Sequence, residues 1–71
     1  MLKSFEISRI LKNGSLKTLE IISNIDIDSV VAYLVRARGV GDYSVLDRKL
    51  NKEYTVVVED KEARFWESLC N

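Results

Sequence analysis

The chain has 71 residues, 46% apolar and 31% charged, with eleven basic side chains balancing eleven acidic ones. That length is one domain, 1–71, and so short a chain buries only roughly 60% of the surface its unfolded form exposes. Zero net charge argues against gripping duplex DNA mainly by phosphate neutralisation. The lack of histidine removes the commonest general base and zinc ligand, and the single cysteine, Cys70, rules out an internal disulfide and a Cys-His pair.

These counts point to a reducing, cytoplasmic setting and to no metal or cofactor. The start, MLKSFEISRI, carries Glu6 and Arg9 where an export signal needs an apolar core. The longest apolar run, VVAYLV, is far too short to cross a bilayer. Starting with Met and lacking a linker, the chain is expected to be a complete small product.

Residues 2–11 and 16–23 are predicted to form a hairpin around Lys12-Asn13-Gly14. Phe5, Ile7 and Leu11 share one parity while Ser4, Glu6 and Ser8 take the other, the alternation of a half-buried strand. In the return strand the apolar odd positions are Leu19 and Ile21. A two-residue loop would set Glu20 beside Ile7 on the buried face. A three-residue loop with Gly14 left-handed keeps the apolar residues together and is the preferred reading. Arg9 interrupts the buried row and calls for an edge or a bulge.

The segment NIDIDSVVAYLVRARG is predicted as a helix. Asp26 and Asp28 are candidate N-caps, Gly39 is a candidate stop, and Ile27, Val30, Val31, Leu34 and Ala37 form one stripe. Its β-branched content offers a strand as the rival reading. The glycines of RARGVGDYSV close a helix and precede a strand, the reverse of a phosphate loop, where glycines open a helix. Arg36 and Arg38 then complement the negative end of the helix, and the corner they form is also a place for an acidic partner.

Residues 43–49 and 53–59 are predicted to form a second hairpin, turning at Leu50-Asn51, with Tyr43, Val45, Tyr54, Val56 and Val58 on one face. Leu46 and Val57 on the other face make it apolar on both sides, as suits a central position. The end, EDKEARFWESLCN, is predicted as a short helix capped by Asp60, with Ala63, Trp66 and Cys70 in one stripe and Phe65 and Leu69 alongside. The expected fold is therefore α+β: a four-stranded, mostly antiparallel sheet with two helices in the order β-β-α-β-β-α. A β-grasp arrangement is the first variant to consider, because it too opens with a hairpin and a helix.

No catalytic constellation is present. Asp26/Asp28 and Glu59/Asp60/Glu62 are the only local carboxylate groups, and helix capping explains both. The expectation is a non-catalytic protein-binding module. Its size alone suggests a viral or plasmid-type modulator that binds or masks another protein, or pairs with itself as a homodimer. If both helices cover the Phe5/Ile7/Tyr54/Val56 face, then Ile10, Leu16, Ile22, Leu46 and Val57 form an apolar row on the other. Phe65 and Trp66, being adjacent, cannot both be buried by one helical stripe and are candidate anchors. An edge strand, expected at residues 2–11, offers a third surface. The alternative is a small nucleic-acid binder. The chain alternates in charge, net +3 over 1–17, −3 over 18–35, +3 over 36–52 and −3 over 53–71. Lys12, Arg48, Lys49 and Lys52, joined by Arg36 and Arg38, would form a basic rim beside Tyr43 or Tyr54 if the two hairpin turns point the same way.

Overall fold

A computed structural model describes residues 2–68. The packing expected of Leu69 and Cys70 lies outside the described residues. The elements are β1 (Lys3–Ile10), β2 (Leu16–Asn24), α1 (Ile27–Ala37), β3 (Gly41–Asp47), β4 (Lys52–Glu59) and β5 (Glu62–Glu67). They build one five-stranded sheet in the order β2-β1-β3-β4-β5, with every neighbouring pair antiparallel. Among the described residues one helix, α1, lies on one face of this sheet.

This corrects the expected four strands and two helices, and the β-grasp variant falls with them. The second helix is a strand. Asp60, expected as its cap, has φ 56 and with Lys61 forms a two-residue reversal between Glu59 and Glu62. Aspartate tolerates that left-handed conformation better than most residues. Ala63 and Phe65 then pack toward the core while Arg64 and Trp66 point away. Over so few residues, period 2 and a helical stripe fit the apolar positions equally well. What decides is the free edge of β4, which gains a full ladder of partners.

The first hairpin turns through three residues. The Gly14 N–H donates to the Leu11 carbonyl and the Leu11 N–H to the Ser15 carbonyl, both at 2.9 Å, with Gly14 at φ 86. A second irregularity then undoes the expected register. Ile7 faces Glu20 but Ser8 faces Thr18, so Leu19 is an extra residue bulged out of the ladder. Beyond the bulge the parity of β2 is inverted. Ile22 faces Phe5 on the covered face, and Ile21 faces Glu6 on the other. Glu20, beside Ile7 after all, is held by the helix. Tyr33 Oη donates to its Oε2 at 2.7 Å, and Arg38 Nη2 donates to the same atom at 2.9 Å. The Tyr33 hydrogen bond, the largest influence, keeps the Glu20 carboxyl below its ordinary range; burial opposes it, and the Arg38 bond and charge, each smaller than the burial effect, add to the lowering. The same bond pushes the Tyr33 hydroxyl up.

Asp26 is the helix N-cap, accepting from the Ser29 amide at 2.9 Å, which lowers the Asp26 carboxyl. Asp28 sits in the first turn. At the other end Gly39 has φ 80 and its N–H reaches the Leu34 carbonyl at 2.9 Å, the left-handed ending for which glycine is suited. The β3–β4 turn is longer than expected: Asp47 faces Lys52, which leaves residues 48–51 to reverse the chain. Asp47, only 2% exposed, organises it by accepting from the amides of Lys49 and Leu50 at 3.0 and 3.2 Å. The two extra loop residues shift the register by an even number, so the expected faces survive.

The core comprises Phe5, Ile7, Val30, Val31, Leu34, Tyr43, Val45, Val56 and Val58. Tyr43 is fully buried and its hydroxyl donates to the Gly39 carbonyl at 2.9 Å. Arg9, across the sheet from Tyr43, is on this face too. Its Nη2 donates to Tyr43 Oη at 3.0 Å, and its guanidinium carbon stands 4.9 Å from the ring centre. Gly41 makes room: a Cβ there would come within 2.5 Å of Arg9 Nη1. The second glycine of the RARGVGDYSV segment thus admits an arginine over a buried ring.

Two stability measurements follow from these contacts. Gly41→Ala, which meets both the guanidinium and a φ of 155, is expected to lower the urea unfolding free energy by about 1–3 kcal/mol. In an Arg9→Ala background the loss should be smaller, since only the backbone strain remains; an equal loss contradicts the packing. Glu20 has a folded-state carboxyl below its reference of 4.5, so its stabilising effect is present above that pH and fades as pH falls through the lower folded value. The stability gap between the wild type and Glu20→Gln should be constant from neutrality to just above pH 5 and should narrow below about pH 4.5. A gap that widens on acidification contradicts it.

Candidate functional site

Among the described residues no pocket is formed and no three His, Cys, Asp or Glu side chains converge as metal ligands. A candidate site is therefore a surface, and the sheet supplies one. Alternation places the residues between the core positions on the face that α1 does not cover. Three rows cross it. Ile21, Glu6, Leu46 and Glu53 form the first, Thr18, Ser8, Ser44, Thr55 and Trp66 the second, and Asp42, Val57 and Arg64 the third, with Ile10 facing Leu16 at its β2 side.

Four of the five residues expected in an apolar row, Ile10, Leu16, Leu46 and Val57, are on this face. Ile22 is not; the Leu19 bulge turns it to the covered side, where it packs against the core. Phe65 and Trp66 take opposite faces of β5 rather than flanking a helical stripe. Phe65 meets Tyr54 edge-on with centroids 6.4 Å apart, and Trp66 remains 49% exposed on the open face. Ile21, 53% exposed, joins this face, and only recognition of the bulge would have placed it there. The central hydroxyl row was half legible, since Ser4 and Ser8 already stood opposite in parity to Phe5 and Ile7. Ser8 and Ser44 are buried, their short side chains lying low in the pleat. Ser44 donates to Glu53 Oε2 at 2.8 Å, and Thr55 and Ser68 hydroxyls bond at 2.8 Å.

The strand at residues 2–11 is not an edge. β1 lies between β2 and β3, and the edges are β2, broken by its bulge, and β5. Nor do the turn cations form one rim. The Arg48 N–H bonds the Ser4 carbonyl near the start of β1, whereas Lys12 follows the end of β1. Arg48, Lys49 and Lys52 therefore lie at one end of the sheet and Lys12 at the other, on the side where α1 ends with Arg36 and Arg38. Arg38 is paired with Glu20 at 2.9 Å and Lys52 with Glu67 at 4.0 Å. Tyr43 is buried, and Tyr54 is on the covered face, so neither offers a ring to a base beside these cations.

Searched against family models, curated proteins and solved structures, the chain matches none of them.

The two sides of β4 provide a direct check on which face is covered. Val56→Thr puts a hydroxyl into the fully buried layer and should reduce stability by about 1–3 kcal/mol. Val57→Thr, nearly the same shape on the open face, should stay within about 0.5 kcal/mol of wild type. Equal losses in urea unfolding would mean that both faces are covered.

Proposed function

We propose that this chain is a non-catalytic protein-binding module that docks through its open sheet face. The supporting observation is the mixture on that face. Trp66, Ile21 and Leu16 are each about half exposed, and Leu46, Val57 and Ile10 are partly so, interleaved with hydroxyls. An exposed tryptophan on a rigid strand can supply much of an interface's energy at low entropic cost. Five strands about 4.8 Å apart present a face on the order of 500 Å². That is below the roughly 800 Å² per partner of a standard interface, and fits a transient contact. Binding single-stranded nucleic acid, the alternative, loses its main support because the turn cations are split between the two ends of the sheet.

The test is selection from a displayed random-peptide library with the immobilised chain. Peptides recovered should lose at least about ten-fold in affinity on Leu46→Asp, Val57→Asp or Trp66→Ala, each shown to be folded by its thermal transition. Arg48→Glu with Lys49→Glu should leave them unchanged. Loss on the turn pair with retention on the face variants contradicts the proposal.

A further inference from the structure

The sheet divides the charges of a neutral chain. Register and alternation place Glu6, Asp42, Glu53, Glu59 and Glu62 on the open face against a single cation, Arg64. Net zero for the whole chain means that this face, at net −4, is balanced by +4 over the helix side and the loops. The one arginine is already neutralised, its Nη2 standing 3.0 Å from Glu59 Oε1. The linear order of charges hides this separation, because the sheet gathers its carboxylates from four strands, β1, β3, β4 and β5. The acidic groups also surround the apolar residues rather than standing apart from them: Glu6 is flanked across the strands by Ile21 and Leu46, and Val57 by Asp42 and Arg64.

We infer that the partner docking on this face is a protein surface that presents lysine or arginine side chains among apolar ones. The inference rests on the docking role proposed above and adds the partner's chemistry. A cation meeting Glu6 or Asp42 is steered there by the face's field, while its apolar neighbours reach Ile21, Leu46 and Val57. Phosphate polymers are repelled by the same field. A second copy face to face would oppose two net −4 surfaces. Stacking the open face of one copy on the helix side of the next would meet charges of both signs, Lys3, Arg9, Lys17 and Lys52 beside Glu20, Asp47 and Glu67. It is also a head-to-tail contact that does not close, so a foreign basic surface is the occupant that fits.

The test uses the full chain and two defined peptides of equal length, one alternating leucine with lysine and one alternating leucine with glutamate, followed by Trp66 fluorescence. A single-stranded oligonucleotide and sedimentation of the chain alone complete the set. The lysine peptide should bind at least ten-fold more tightly than the glutamate peptide. It should weaken at least ten-fold on Glu6→Gln with Asp42→Asn, a pair that keeps side-chain shape, and weaken as salt rises. If the glutamate peptide binds as well, and both are lost on Val57→Asp, the docking face stands and the cationic partner is overturned. If neither peptide binds, or the oligonucleotide binds in a way that the Glu6→Gln/Asp42→Asn pair does not affect, the inference is overturned. Self-association that Val57→Asp abolishes overturns it in favour of a second copy.

Discussion

One helix of eleven residues, about 16 Å long, cannot cover both faces of a five-stranded sheet. That limit organises the molecule. Phe5, Ile7, Tyr43, Val45, Val56 and Val58 all point to the side where Val30, Val31 and Leu34 wait. The alternate positions of the same strands have no helix over them, and their composition is correspondingly mixed. A second helix would have sheltered them; the chain uses those residues as β5 instead, which widens the sheet and leaves its far face bare.

Covering one face also creates a problem at its margins, because the strands bring polar groups to that side. Three devices accommodate them. Glu20 is turned toward the helix by the bulge and meets Tyr33 and Arg38. Arg9 lies over Tyr43 in space that only Gly41 leaves open. Asp47 is buried but accepts two turn amides and lies 3.6 Å from Lys3 Nζ. Glu20, Arg9 and Asp47 each therefore sit beside a group that offsets their desolvation.

Much of this was legible in the sequence. The Lys12-Asn13-Gly14 turn, the capped helix ending at Gly39, and the shared face of Tyr43, Val45, Tyr54, Val56 and Val58 follow from local rules of capping, turn chemistry and alternation. The failures have physical reasons too. Leu19 gives no local sign of a bulge, because a single extra residue in a strand changes parity without changing composition. Residues 62–67 fit two periods, and tertiary pairing with β4 chose between them. The relative direction of the two turns depends on how β1 meets β3, a long-range contact that no short window contains. The face charge was hidden for the same reason: Glu6, Asp42 and Glu53 are far apart in sequence and meet only through the ladder.

Exposed apolar side chains and a surplus of carboxylates on one flat face are the properties on which the functional reading depends. The lone tryptophan reports on both. Quenching of Trp66 by acrylamide, caesium and iodide should show a partly accessible ring, with caesium more effective and iodide less effective than on free tryptophan, the difference vanishing at high salt. A ring shielded from all three, or one quenched preferentially by iodide, would contradict an open acidic face.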